Sequence, residues 1–127
     1  MPSPTDHPGA RILIVDDQPS NVRLLEHTLR RAGFTDVTST MKPVDVAALH
    51  AQNHYALILL DLQMPGLDGF GVMKQLREVH SDAAILVISA DPSQKPAALA
   101  AGANLFLNKP FLLEDVVARV QELLGRG

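Results

Sequence analysis

The stretch "YALILLDLQMPGLDGF" (Tyr55–Phe70) contains the feature that decides the fold, an apolar run that ends abruptly in Asp61. The residues before this aspartate are apolar without alternation, which is typical of a strand buried on both faces of a parallel sheet. The turn that follows is rich in Pro and Gly and ends the strand. The pattern therefore predicts a central strand that delivers a carboxylate at its carboxyl end.

Similar units extend outward from this strand in both directions. The predicted strands cover residues 11–16, 35–40, 56–61, 84–89 and 104–108. Predicted helices open at Pro19 and Pro43, continue at Phe70–Val79 and Pro96–Ala101, and close the fold at Leu113–Gly125. Strands that alternate with helices imply right-handed crossovers. We therefore predict an α/β fold, a single-domain flavodoxin-like (βα)5 doubly wound parallel sheet with strand order 2-1-3-4-5.

The 3.6-residue period assigns an inward face to four of the helices. The predicted inward residues are Val22, Leu25 and Leu29 in the first helix, Val46, Ala47 and Leu49 in the second, Phe70, Met73, Leu76 and Val79 in the third, and Val116, Val117, Val120 and Leu124 in the last. The fourth helix has only one or two turns because Pro92 and Pro96 restrict where it can start.

Length and composition indicate one globular domain. The chain has 127 residues, of which 46% are hydrophobic and 20% charged. Residues 1–10 contain three prolines and show no periodicity, so we expect a flexible tail before a domain at residues 11–125. With 14 acidic and 11 basic residues and a net charge of -3, the chain lacks the basic footprint of a nucleic-acid binder. No cysteine, signal peptide or membrane-spanning run is present, and we expect a cytoplasmic protein that is not bound to a membrane.

Polar side chains stand where the predicted strands end. They are Asp16 and Asp17 after the first strand, Asp61 at the end of the third, Ser89 at the end of the fourth, and Lys109 and Pro110 after the fifth. In the predicted strand order the first and third strands are neighbours, so the three aspartates should share one pocket. Their mutual repulsion favours a bound cation, and oxygen ligands with room for water suit Mg²⁺, or Mn²⁺ in its place.

This arrangement suits phosphoryl transfer. A carboxylate such as Asp61 can act as the nucleophile that forms an acyl phosphate, while a metal ion and Lys109 neutralise the charge of the transferred group. Ser89 can donate a hydrogen bond to a phosphoryl oxygen. The predicted product is a phosphorylated aspartate.

Four motifs together resemble a known family. "IVDD" (Ile14–Asp17), "DLQMPGLDGF" (Asp61–Phe70), "SA" (Ser89–Ala90) and "NKPF" (Asn108–Phe111) are similar, in order and spacing, to the receiver domain of two-component response regulators. The resemblance runs from about Arg11 to Leu124, which is nearly the whole chain.

The resemblance implies a role for each matched residue. Asp61 would be the phosphoacceptor, Asp16 and Asp17 the acid pair that holds the metal, and Gln63 a metal ligand through its backbone carbonyl. Ser89 would be the switch hydroxyl, Lys109 the phosphate contact, Lys109–Pro110 a cis peptide, and Phe106 the aromatic whose rotamer follows phosphorylation. The implied partners are a histidine kinase or phosphotransfer protein, and a downstream protein or a second copy of the chain in a phosphorylation-dependent homodimer.

The same residues allow other interpretations. One of Asp16 and Asp17 could cap the helix at Pro19. The chain could be a small Mg²⁺-dependent phosphohydrolase of haloacid-dehalogenase type, but that type carries a second Asp where this chain has Gln63. It could also be a receiver that acts only as a constitutive binding module. His50 and His54 have metal-ligand spacing, but a solvated helix end is the favoured interpretation of this pair.

Overall fold

The computed structural model describes residues 9–64 and 68–125. Its strands are β1 (Ile12–Val15), β2 (Val37–Thr40), β3 (Leu57–Asp61), β4 (Ala84–Ser89) and β5 (Leu105–Asn108). Its helices are α1 (Pro19–Arg31), α2 (Val46–Asn53), α3 (Gly69–Glu78), α4 (Lys95–Ala101) and α5 (Leu113–Gly125). Short 3₁₀ helices at Pro43–Asp45 and Pro92–Gln94 precede α2 and α4. Residues 1–8 of the predicted tail, and Pro65, Gly66 and Leu67 in the loop after β3, lie outside the described residues.

All strand pairings in the sheet are parallel, and the strand order is β2-β1-β3-β4-β5. This confirms the predicted topology. β1 and β3 are neighbours in register, with Val15 opposite Leu60. The carboxyl ends of these two strands therefore meet at one edge of the sheet, as the position of the aspartates required.

The core has two layers, one on each face of the sheet. Because alternate strand residues point to opposite faces, Leu13 and Leu60 pack towards α2, α3 and α4, whereas Ile14 and Leu59 pack towards α1 and α5. Both central strands are buried along their whole length. Burial on both faces explains why β1 and β3 read as continuous apolar runs. Across residues 9–64 and 68–125, every helix is too short or too polar to cross a lipid bilayer.

Several inward-facing predictions need correction. Val79 is 48% exposed because α3 ends at Glu78 and the helical period no longer governs its direction. Val117 is only half-buried, and the buried face of α5 is completed by Leu123. Ala47 is likewise half-buried, whereas the half-buried Leu49 and Phe70 pack against the core as predicted, and Val72 is buried in α3 in a position that the prediction omitted. The second helix starts as a 3₁₀ turn at Pro43, which shifts the phase of α2.

His50 contradicts the expectation of a solvated histidine pair. Its side chain is 4% exposed, and its Nδ1 accepts a hydrogen bond from the Tyr55 N–H at 3.2 Å. His54 is the C-cap residue of α2, and its φ of 52° is left-handed and turns the chain so that Tyr55 follows beside His50. His54 itself is exposed, as expected. His50 therefore links the end of α2 to the start of β3.

The burial of His50 predicts a pH-dependent stability. Burial lowers the pKa of His50, Asp82 opposes this by raising the pKa, and His54 lowers it further. Because the unfolded chain binds the proton more readily, the free energy of unfolding should fall as the pH drops below 6.5. We expect His50→Asn, whose amide oxygen can still accept the Tyr55 N–H, to reduce this loss between about pH 7.5 and about pH 5.5 in urea titrations. His54→Asn is the matched control because asparagine tolerates the left-handed backbone. Its free energy of unfolding should fall with pH as steeply as that of the wild type. If the free energy of unfolding fell equally with pH in all three proteins, His50 would be ruled out as the source of the pH dependence.

Candidate functional site

Three carboxylates meet at the carboxyl ends of β1 and β3. One oxygen of each of Asp16, Asp17 and Asp61 lies within 4.8 Å of the others. Asp61 is the last residue of β3, whereas Asp16 and Asp17 directly follow β1. Asp16 and Asp61 are only 4% and 5% exposed, and Asp17 is half-buried. The predicted acidic cluster is therefore present, and Asp17 is its most solvated member.

Local turns orient two of these carboxylates. The Gln18 N–H donates to Asp16 Oδ1 at 2.9 Å, and the Gln63 N–H donates to Asp61 Oδ1 at 3.0 Å. Each aspartate thus bonds the backbone two residues on, an Asx turn that holds one oxygen and leaves the other for the pocket. Gln18 is the N-cap residue of α1, and this helix has no side-chain cap. The alternative in which Asp16 or Asp17 caps the helix is therefore wrong.

The acidic cluster is electrostatically unfavourable without a cation. Burial raises the pKa of Asp16, and the charge of Asp61 raises it further, while the Gln18 N–H, Lys109 and Asn21 lower it in part. At an effective dielectric near 20, two carboxylates at this separation repel by about 3 kcal/mol. A bound cation would remove this repulsion, and an all-oxygen set of hard ligands fits Mg²⁺. The donor chemistry of Asp16, Asp17 and Asp61 is consistent with that ion.

Lys109 supplies the positive charge of the site. Its Nζ lies 3.6 Å from Asp61 Oδ2, and its side chain is 28% exposed. The backbone N–H of Lys109 donates to the Ser89 carbonyl at 2.9 Å, which fixes the start of the loop after β5 against β4. The Lys109–Pro110 peptide is cis, as the resemblance implied. Lys109 therefore reaches Asp61 from a neighbouring loop while part of its side chain stays exposed.

Ser89 ends β4 and is fully buried, with 0% of its surface exposed. Its hydroxyl donates to Gln94 Oε1 at 2.7 Å and accepts from the Asp91 N–H at 3.1 Å. Both partners belong to the segment that leads into α4. The hydroxyl hydrogen of Ser89 is thus donated to Gln94 in this conformation.

Phe106 lies in β5, opposite Val87 of β4. It is half-buried and packs against the core layer that contains Ala98 and Ala103. It thus lies next to α4, on the strand that leads to Lys109. This position suits a side chain that changes rotamer when its surroundings move.

Sequence reasoning missed two polar side chains of this region. Asn21, in the first turns of α1, forms a hydrogen bond with Asp16. Gln94 accepts the Ser89 hydroxyl. Asn21 lies in the first turn of the helix that Pro19 predicts, directly after the acidic pair, and this position could have indicated it. Gln94 had no such signal because its contact depends on the 3₁₀ turn at Pro92–Gln94.

The hydrolase alternative lacks its acid/base group. Gln63 stands two residues after Asp61 with an exposed side chain, and its amide cannot transfer a proton as a carboxyl group does. Within the described parts of the chain, the only cluster of three or more metal-ligating side chains is the group of Asp16, Asp17 and Asp61. The geometry therefore offers one carboxylate nucleophile beside two further carboxylates and a lysine.

Comparisons with known proteins agree with this geometry. Residues 12–121 match the family of the response regulator receiver domain. The transcriptional regulatory protein PrrA of Mycobacterium tuberculosis is 39% identical over 118 residues, which covers 91% of this chain and 50% of PrrA. The response regulator MprA of Mycobacterium sp. is 40% identical over 118 residues, which covers 91% of this chain and 51% of MprA. The chain thus spans about half the length of these curated relatives.

Solved structures share the fold. The receiver domain of the sensor histidine kinase PA1611 from Pseudomonas aeruginosa is 29% identical, with a TM-score of 0.83 over 92% of this chain and 98% of that domain. That structure contains a magnesium ion coordinated in its active site cleft. Because the family match covers nearly the whole chain and the strand order, the acidic cluster and the cis peptide all agree with it, the chain belongs to the receiver domains of two-component response regulators.

Proposed function

We propose that Asp61 of this receiver domain accepts a phosphoryl group from a histidine kinase or a phosphotransfer protein. The observation that carries the proposal is the position of Asp61, buried at the end of β3 with Lys109 Nζ 3.6 Å from its Oδ2 and with Asp16 and Asp17 beside it. We further propose that the domain occupies residues 11–125, which contain all five strands and all five helices. We also propose that it works in the cytoplasm, because the named relatives include a transcriptional regulatory protein.

In the proposed reaction, an Asp61 carboxylate oxygen attacks the phosphorus of the donor. The new oxygen–phosphorus bond forms as the bond from phosphorus to the donor's leaving atom breaks, and the leaving group keeps that electron pair. Lys109 contacts the phosphoryl oxygens and offsets their negative charge. Asp16, Asp17, Asp61 and the backbone carbonyl of Gln63 would hold Mg²⁺, or Mn²⁺ in its place, which when bound supplies the positive charge that brings the anionic donor to a carboxylate pocket.

The proposed consequence of phosphorylation is a change of conformation. Ser89 turns its hydroxyl towards a phosphoryl oxygen, and Phe106 follows by changing rotamer. The surface formed by α4, β5 and α5 then changes its affinity for a downstream partner or for a second copy of the chain. In this proposal the domain is a regulatory switch that takes part in its own phosphorylation and dephosphorylation, and it does not itself contact DNA.

Intact mass spectrometry tests the proposal directly. The protein is incubated with Mg²⁺ and a small acyl-phosphate donor, and a matched sample contains a chelator. We expect a mass increase of one phosphoryl group with Mg²⁺ and none with the chelator, because the metal-free carboxylate cluster repels the anionic donor. Borohydride reduction of the acyl phosphate followed by peptide mapping should locate the modification at Asp61.

Two other outcomes would contradict the proposal. If no adduct forms and the donor is not consumed, a constitutive binding module explains the chain better. If the donor is consumed without an adduct, beryllofluoride separates the two remaining possibilities. A stable, Mg²⁺-dependent complex with beryllofluoride that Asp61→Asn abolishes would indicate rapid turnover of an acyl phosphate on Asp61, whereas its absence would mean that another group hydrolyses the donor and would contradict the proposal.

A further inference from the structure

We infer that Gln94 is a positioning residue that holds the Ser89 hydroxyl away from the phosphoryl site before phosphorylation, and so sets how readily the domain switches. The inference rests on the proposed roles of Asp61 and Ser89. It adds a residue outside the matched motifs, at the junction between the 3₁₀ helix Pro92–Gln94 and α4.

The first step of the argument is the donor capacity of serine. A hydroxyl group has one hydrogen to donate, and in this structure Ser89 donates it to Gln94 Oε1 at 2.7 Å. A phosphoryl oxygen on Asp61 needs the same hydrogen. The two acceptors therefore compete, and the contact with Gln94 must break before Ser89 can contact the phosphoryl group.

The second step is that only the side chain of Ser89 has to move. Its carbonyl accepts from the Lys109 N–H at 2.9 Å, and Ser89 pairs with Asn108 within the sheet. The backbone at the end of β4 is thus held against the end of β5, while the Ser89 hydroxyl can rotate. Gln94 is half-buried, so its amide oxygen can be hydrated once the hydroxyl leaves, whereas the fully buried Ser89 has no such replacement.

The third step connects this contact to the partner surface. Gln94 is the N-cap residue of α4 and provides no side-chain cap to that helix, because its side chain is directed to Ser89. The preceding turn also has hydrogen bonds that do not involve the Gln94 side chain, since Asp91 Oδ1 accepts from the N–H and the hydroxyl of Ser93. Releasing Gln94 therefore frees the start of α4 without dismantling the turn before it.

The test is the affinity for beryllofluoride, a phosphoryl analogue, at a fixed Mg²⁺ concentration, measured from amide signals in ¹H–¹⁵N NMR titrations. Gln94→Met keeps the length of the side chain but removes the strong acceptor. Losing one such hydrogen bond from the resting state should tighten beryllofluoride binding by about three- to tenfold. The matched control Gln52→Met, on the exposed face of α2, should bind as the wild type does.

A double-mutant cycle shows whether Gln94 acts through Ser89. In a Ser89→Ala background, where no hydroxyl remains to be held, Gln94→Met should no longer change the affinity. Unchanged affinity in the Gln94→Met single variant would overturn the inference, and so would an equal gain in the Ser89→Ala background. A purely structural role would lower the urea midpoint of Gln94→Met and leave its affinity at the wild-type value.

Failure of the proposed function has a different signature. In that case wild-type protein would not bind beryllofluoride, or Asp61→Asn would bind it equally well, whatever residue stands at position 94. Saturable binding by the wild type that is lost in Asp61→Asn, together with no effect of Gln94→Met, would reject the role of Gln94 alone.

Discussion

Asp61→Asn is expected to abolish phosphoryl incorporation completely. Asparagine has nearly the shape of aspartate, and its amide oxygen can still accept the Gln63 N–H that now bonds Asp61 Oδ1. It lacks the anionic oxygen that attacks phosphorus, so the reaction loses its nucleophile while the local turn is kept. Intact mass after incubation with Mg²⁺ and an acyl-phosphate donor measures the outcome.

The control for this substitution is Asp82→Asn. Asp82 is exposed and precedes β4, at the opposite end of the sheet, so this variant should be phosphorylated as the wild type is. The fold of Asp61→Asn can be checked in metal-free buffer. Loss of the Lys109 pair and relief of the repulsion with Asp16 act in opposite directions, so the free energy of unfolding should change by less than about 1 kcal/mol. A phosphoryl adduct on the Asp61→Asn protein would show that another carboxylate is the acceptor.

The acidic cluster and its lysine could be predicted from sequence because their position depends on topology. A parallel sheet puts every carboxyl strand end on one edge, so residues at the ends of β1, β3, β4 and β5, or directly after them, become neighbours whatever the details of packing. Asp16, Asp61 and Lys109 needed only the strand order to meet, and the structure has that order. The roles of these residues came from the resemblance and from general phosphoryl chemistry.

Features that depend on helix phase or on a single rotamer could not be predicted. The 3₁₀ turn at Pro43–Asp45 and the left-handed His54 decide that His50 is buried, and neither follows from a 3.6-residue period. Similarly, the contact between Ser89 and Gln94 depends on the 3₁₀ turn at Pro92–Gln94. Pro43 predicted where the second helix begins, and Pro92 and Pro96 predicted that the fourth would be short, but the prolines did not indicate which side chains the preceding turns would direct inward.

Gly69→Ala is expected to lower the free energy of unfolding by about 3 kcal/mol, at the upper end of typical overpacking costs. Gly69 is the first residue of α3, and its N–H donates to the Leu62 carbonyl at 3.2 Å. A Cβ at this position would lie 2.8 Å from Leu62 Cα and 2.9 Å from the Asp61 carbonyl oxygen. These are backbone atoms, so rotation of a side chain cannot relieve the contact. α3 must instead move away from the end of β3.

The same displacement should reach the proposed phosphorylation site, because the crowded carbonyl belongs to Asp61 itself. Urea titration measures the loss of stability. The rate of phosphoryl incorporation measures the effect on the site, and this rate should fall together with the free energy of unfolding. Gly125→Ala is the matched control, since a Cβ at the end of α5 meets no atom within 4 Å and alanine is the better helix former. Its stability should equal or slightly exceed that of the wild type. A loss below about 1 kcal/mol for Gly69→Ala would mean that α3 and β3 separate more easily than their close approach indicates.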